Sequence, residues 1–250
     1  MIQLYHGDCL DIMRDIPDGS IDMILCDPPY GTTKCSWDNV IPFAPMWEQY
    51  RRIVKENGAI LLFGSEPFAS QLRVSNLKHF RYDWIWEKEQ GIGFANANKM
   101  PMKSHEIVSV FYEKLPTYNP QGLRPCSKKV SRDTKQGKDS GKYLGKNGVD
   151  GTSYVRTSTN YPKSVLRFSR ASKGKHHPTE KPVELAEYLI RTYTNEGETV
   201  LDNCMGSGTT GIACVNTNRK FIGIEKENEE EPFFDIARQR IAEAKLGDML

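Results

Sequence analysis

A chain of 250 residues, 38% hydrophobic and 26% charged, can build one sizeable core and is too rich in core material for wholesale disorder. No stretch approaches the roughly 20 consecutive apolar residues of a membrane helix, and the first residues lack a charged-then-apolar signal pattern, so a cytoplasmic protein without membrane contact is expected. The net charge of +2 conceals a split: residues 121–175 carry 14 Lys and Arg against 3 Asp, a balance of +11, while the rest balances at −9. A basic segment within an acidic body points to a polyanion partner.

Ile2 to Tyr5 reads as a short strand, Gly7-Asp8 as a turn, and Cys9 to Ile16 as a helix closed by Pro17-Asp18-Gly19. Ile21 to Cys26 is a nearly continuous apolar run, the mark of a strand buried on both faces of a parallel sheet. A helix around Met46 to Val54 leads through Asn57-Gly58 into a second such run, Ala59 to Phe63. A helix from Pro67 to Leu77 follows, then strands at Tyr82 to Trp86 and Ile107 to Tyr112, rich in aromatic and β-branched residues. This alternation is the pattern of a doubly wound α/β fold.

From Thr117 to Lys175 Gly, Lys, Ser, Asn and Tyr dominate and periodicity is lost, which predicts a basic, loop-rich insertion at 117–175 between core segments 1–116 and 176–250. Pro182 then suits the first turn of a helix, with Leu185, Ala186, Leu189, Ile190 and Tyr193 on one face. Strand Thr199 to Leu201, turn Gly206-Ser207-Gly208, helix Thr209 to Val215 and strand Phe221 to Ile224 make a compact βαβ unit, and an amphipathic helix from Pro232 to Leu246 follows. No internal repeat is seen. Six scattered cysteines without a C-x-x-C pair read as reduced and structural, and the adjacent His176-His177 makes a poor chelate, so no metal site is expected.

Two constellations carry chemistry. In the βαβ unit the glycines allow close backbone approach to a ligand, the helix start offers free N–H groups, and Glu225 at the end of the next strand is placed to accept from ribose hydroxyls. Earlier, Asp27-Pro28-Pro29-Tyr30 directly follows a buried strand. A carboxylate there stands in the crevice where such sheets bind ligands, two prolines fix a backbone carbonyl, and the tyrosine offers a flat face. Together these groups can accept both hydrogens of an amino group and hold the ring that bears it.

Asp27-Pro28-Pro29-Tyr30 resembles the catalytic tetrad of amino-group DNA methyltransferases, and Leu201 to Thr210 with Glu225 looks like their S-adenosylmethionine site. His177-Pro178-Thr179-Glu180-Lys181-Pro182 is similar to the segment that precedes the cofactor-binding strand in these enzymes, and Gly7-Asp8-Cys9-Leu10-Asp11 also matches. The order, tetrad first and cofactor unit last, is that of the family's beta group. Many members have Pro-Phe where this chain has Asn203-Cys204.

The resemblance implies a Rossmann-like methyltransferase fold, S-adenosylmethionine as cofactor and double-stranded DNA as partner, with methylation of adenine N6 after base flipping. Cytosine N4 and RNA remain the alternatives. It places Asp8 near the cofactor's adenine, Thr179 and Lys181 near its methionine part, Asp202, Gly206, Ser207, Gly208 and Thr209 around the amino acid and sulfonium, and Glu225 on the ribose. Asp27, Pro28, Pro29 and Tyr30 would hold the target base, and the insertion would meet the DNA through Lys128, Lys129, Arg132, Arg156, Arg167 and Arg170, with Arg124 a further candidate.

Elsewhere, Trp84, Trp86 and Lys88 read as sheet packing, Gly91 to Asn98 as a loop, His105-Glu106 as a loop pair ahead of a strand rather than a catalytic dyad, and Phe63-Gly64-Ser65 as a strand end that could line the crevice. Two rival classes, a nucleotide-binding oxidoreductase and a silent DNA-binding module, leave the tetrad unexplained.

Overall fold

The computed structural model describes residues 1–35, 37–132, 154–169, 180–226 and 232–247, with backbone alone at 127–132, 154–156 and 247. In chain order the elements are β1 (Ile2–His6), α1 (Cys9–Ile12), β2 (Ile21–Cys26), α2 (Phe43–Ile53), β3 (Val54–Gly64), α3 (Phe68–Ser75), β4 (Phe80–Ile92) and β5 (Lys103–Phe111). They continue with β6 (Arg124–Arg132), β7 (Tyr154–Thr159), β8 (Val165–Arg167), α4 (Val183–Tyr193), β9 (Thr199–Asp202), α5 (Thr209–Asn216), β10 (Lys220–Glu225) and α6 (Phe233–Gly247).

Eight strands form one sheet in the order β1-β10-β9-β2-β3-β5-β4-β8. The block from β1 to β3 is parallel throughout, and β5 runs antiparallel to both its neighbours. Alternation along β2 sends Met23 and Leu25 into one apolar cluster with α4, α5 and α6, and Ile24 and Cys26 into another with α1, α2 and α3. That two-sided burial is why these strands read as continuous apolar runs. The architecture is a doubly wound, Rossmann-like α/β fold. Leaving β9 the chain winds through α5 to β10 on one side; leaving β2 it winds through α2 to β3 on the other. The winding therefore reverses between β9 and β2, and the crevice beyond their carboxyl ends is where such sheets bind ligands.

The chain divides into two compact units, Met1–Asn119 with Ser164–Leu250, and Pro120–Lys163. Within the smaller unit β6 and β7 pair antiparallel, from Arg124 opposite Thr159 to Arg132 opposite Tyr154. The unit is narrower than the expected 117–175 segment because Val165–Arg167 joins the main sheet beside β4 and buries Leu166. Three residues are too short for a period to show. The expected helix Cys9 to Ile16 is α1 followed by a 3-10 turn, Met13–Asp15, and the strand expected at Tyr82 to Trp86 extends to Ile92.

Candidate functional site

The carboxyl ends of β1, β2, β9 and β10 open into a cavity of about 690 Å³ lined by Asp8, Asp27, Pro28, Pro29, Tyr30, Lys181, Asp202, Gly206, Ser207, Thr209 and Glu225, among others. Residues separated by almost the full length of the chain meet there because the parallel strands deliver each one at the same edge.

At the end of β2, Asp27 accepts a hydrogen bond from the Tyr30 hydroxyl on Oδ1 (2.5 Å) and from the Lys181 ammonium on Oδ2. One face of the Tyr30 ring is stacked on Phe68, with centroids 5.0 Å apart, and the residue lines the cavity. Burial, then the neighbouring Asp27 charge, push the Tyr30 phenol well above its ordinary pKa, which keeps it a donor. The loop after the tetrad is held by Asp38, whose carboxylate accepts four backbone N–H groups: Tyr30 (2.7 Å) and Gly31 (2.8 Å) on Oδ1, Thr32 (2.8 Å) and Thr33 (2.6 Å) on Oδ2. Burial raises the Asp38 pKa, but the hydrogen bonds of residues 31–33 outweigh it and hold the group below the usual carboxylate value.

Lys181 is buried, over the Phe63 ring at 5.3 Å, and bridges Asp27 to Glu106, whose Oε2 lies 3.3 Å from its Nζ. Glu106 is bound in turn by Lys88, whose side chain is 4% exposed. Desolvation works against both charges, yet Glu106 is held below its ordinary pKa by Lys181 and Lys88, and Lys181 is held above its own by Asp27 and Glu106. The loop pair expected at His105-Glu106 is therefore corrected: Glu106 lies inside β5, opposite Trp86 in the ladder, and lines the cavity. A signal for it exists in the sequence. Glu106, Val108 and Val110 alternate on one strand face, as do Trp84, Trp86 and Lys88 on another, and the apolar members are all buried, so a charge at the end of each stripe points at the core edge.

Across the cavity, Asp202 accepts from the Thr210 hydroxyl (2.6 Å) and the Cys204 amide (3.1 Å). Burial pushes its pKa up to about 6. Glu225 accepts from the Gly206 amide (2.7 Å), and burial pushes it up to about 7. Gly206 adopts a left-handed φ of 49° that brings its N–H onto that carboxylate. Gly208 serves differently: a Cβ there would stand 2.9 Å from Ala237 Cβ, so it lets α6 approach, and it does not line the cavity. Asp8 caps α1 through the Leu10 amide (2.9 Å) and pairs with Lys226 (3.2 Å). Arg240 ties the glycine turn to the segment before α4, donating to the Ser207 carbonyl (2.6 Å) and to Glu180 (2.5 Å). At the Asn203-Cys204 departure, Asn203 accepts from Tyr50 (2.6 Å), and the Cys204 thiol neighbours Cys9 and Cys26. Phe233 lines the same cavity from α6.

Thr179 and Arg170 lie outside the described residues, and for Lys128, Lys129, Arg132 and Arg156 the backbone alone is described. Arg167 is exposed on β8 and paired with Glu87 at 2.6 Å.

Fold and crevice together define a Rossmann-like methyltransferase of the amino-group class. The chain belongs to the DNA methylase family of N6 and N4 methyltransferases, whose model matches residues 21–236. It is 28% identical to the Type II methyltransferase M.BglII of Bacillus subtilis, over 95% of this chain and 68% of that protein. Among solved structures, the M1.HpyAVI-SAM complex superposes with a TM-score of 0.63 at 27% identity, covering 96% of this chain and 100% of that one. The cytosine-N4-specific PvuII DNA methyltransferase shares the fold, with a TM-score of 0.66 at 18% identity over 98% of this chain and 91% of that one.

Proposed function

We propose that the protein transfers a methyl group from S-adenosylmethionine to the N6 amino group of adenine in duplex DNA. The observation that carries this reading is the meeting of two acidic sites in one cavity: Asp27 with Pro28 and Tyr30 on one side, Asp202 with Glu225 and the Gly206 turn on the other. The residues fit the cofactor. Asp202 and Glu225 are carboxylates whose hydrogen bonds come from neutral groups and whose pKa values burial has raised, which suits a ligand bringing positive charge and hydroxyl donors. When bound, S-adenosylmethionine supplies an electrophilic methyl on a sulfonium.

The chain's own residues do the rest. An adenine amino nitrogen is a poor nucleophile because its lone pair is delocalised into the ring. Accepting its two hydrogens at the Asp27 carboxylate and the Pro28 carbonyl concentrates electron density on nitrogen as it becomes tetrahedral, so orientation and electrostatics do most of the work. Tyr30, which lines the cavity, stacks on the ring. Because the reacting atom is hidden in a stacked duplex, the base must flip out, a cost of a few kcal/mol that stacking on Tyr30 partly offsets. The basic segment supplies phosphate contacts and target recognition, and Arg167 on β8 joins it only on release from Glu87.

Adenine is preferred because the tetrad begins with Asp, the spelling commoner among the adenine enzymes of the resembled family; a Ser there points more often to cytosine N4. Nucleoside mass spectrometry on duplex DNA and on structured RNA, each treated with purified protein and S-adenosylmethionine, is expected to show N6-methyladenine in the duplex. N4-methylcytosine as the main product overturns the base assignment, and methylation confined to RNA overturns the substrate.

A further inference from the structure

Both oxygens of Asp27 are engaged, Oδ1 by the Tyr30 hydroxyl and Oδ2 by the Lys181 ammonium. An amino group arriving at this carboxylate meets an acceptor already shared with a buried cation. A charge-assisted bond to an ammonium is the stronger of the two and draws electron density from Oδ2, so Asp27 accepts best from the amino group when that ammonium has somewhere else to go.

The place is adjacent. Among the described residues, the buried side-chain oxygen that lacks a hydrogen-bond partner is Glu106 Oε2, and it stands 3.3 Å from Lys181 Nζ. The other oxygen of the same carboxylate is fixed by Lys88, whose ammonium lies 5.0 Å from the Trp86 ring centroid. Buried polar atoms are nearly always hydrogen-bonded, and an exception calls for a reason. Were Glu106 present to neutralise Lys88 alone, nothing would require its second oxygen to face the cation that occupies Asp27.

We propose that Glu106 is the second station of the Lys181 ammonium, which shifts from Asp27 onto Glu106 Oε2 when the target amino group docks on Asp27. Lys88 holds Glu106 ready for the exchange. The charges that take part do not change: among the described residues the ammonium groups of Lys181 and Lys88 face the carboxylates of Asp27 and Glu106 before and after, and no proton moves. Glu106 does not touch the base in this scheme; it is a positioning residue that acts through Lys181. The inference rests on the reading of Asp27 as the acceptor of the target amino group.

The test uses the full-length protein, a long unmethylated DNA duplex and saturating S-adenosylmethionine, and reads the single-turnover rate beside the dissociation constants for cofactor and duplex. The double variant Lys88→Met with Glu106→Gln removes one buried cation and one anion and leaves Lys181 paired with Asp27, so no charge is stranded and the fold should hold. Its rate is expected to fall about 10-fold or more while both dissociation constants stay within about two-fold, the signature of an interaction needed beyond ground-state binding. With Lys88 retained, Glu106→Asp keeps the carboxylate and is expected to run at least about three-fold faster than Glu106→Gln. A wild-type rate in the double variant overturns the proposal, and so do equal rates for the Asp and Gln variants, which can be compared even if the double variant does not fold. Wild-type protein and Asp27→Ala run alongside: an inert wild type or an active Asp27→Ala removes the reading of Asp27 itself, an outcome distinct from failure of the Glu106 exchange.

Discussion

The two sides of the crevice bury carboxylates in opposite ways. Beyond β2, Asp27 and Glu106 share buried ammonium groups, and Glu106 remains ionised against its own desolvation because Lys181 and Lys88 flank it. Beyond β9 and β10, Asp202 and Glu225 receive amide and hydroxyl hydrogens, and desolvation lifts them to about 6 and about 7. The first side carries its own counter-charge. The second bonds its carboxylates to neutral donors, and in the proposed reading a ligand completes it, which makes the first the reaction side and the second the cofactor side.

The sharpest break in that comparison is Asp27→Ala. Methyl transfer is expected to fall by at least about 10²- to 10³-fold, the scale for deleting a preorganised group at developing charge, while affinity for S-adenosylmethionine stays within a few-fold. Lys181 keeps Glu106 as a partner in this variant, so the fold should survive. Near-normal turnover with purified variant would falsify the division between the two sides.

The converse change is Glu225→Ala. Losing a charged acceptor for ribose hydroxyls is worth about 1.5–3 kcal/mol, so cofactor affinity should weaken by about 10- to 100-fold, while turnover at saturating cofactor changes far less. Titration calorimetry on the variant without DNA settles it. Unchanged affinity takes Glu225 out of the cofactor side.

How much of this is legible in the chain follows from what each side is made of. Asp27, Asp202 and Glu225 each directly follow or end an apolar strand and Gly206 lies in the turn after one, so period and turn chemistry locate them at one sheet edge. Lys181 is legible as a site residue through its motif, but its attachment to Asp27 is a tertiary fact that no local pattern encodes. Glu106 escapes a reading that begins the strand at Ile107, four residues after its actual start at Lys103, because Glu106 is then left outside the period-2 register that puts it in line with Val108. Asp38 gives no signal: four amides converge on it because the loop 30–33 folds back, and loops have no period to read.

A smaller effect concerns the basic segment. Neutralising Lys128, Lys129, Lys135, Lys138, Lys142 and Lys146 in groups is expected to weaken duplex binding and flatten its salt dependence by about 0.9 in log–log slope for each phosphate no longer neutralised. Cofactor affinity should not move. A slope identical to that of the unaltered protein takes these lysines off the DNA.

The smallest expected effect is also the one that reads the cofactor side most directly. Burial pushes Glu225 up to about 7 and Asp202 up to about 6. Hydroxyls donating to Glu225 and positive charge beside Asp202 favour the ionised form of each, so binding at pH 6 must expel a proton from Glu225, whereas at pH 8 that group is already ionised. Affinity should therefore fall on acidification, beginning near pH 7 and steepening toward pH 6, with a slope of about one decade per pH unit from Glu225 and more where Asp202 joins it. Glu225→Gln removes the first step and leaves the second, and the difference between the two proteins cancels any titration of the cofactor's own amino group. Calorimetry in buffers of different ionisation enthalpy counts the protons released. If wild type and Glu225→Gln show the same pH dependence between 6 and 8, Glu225 is ionised before the cofactor arrives, and the contrast between a pre-paired side and a ligand-completed side fails at the residue that defines it.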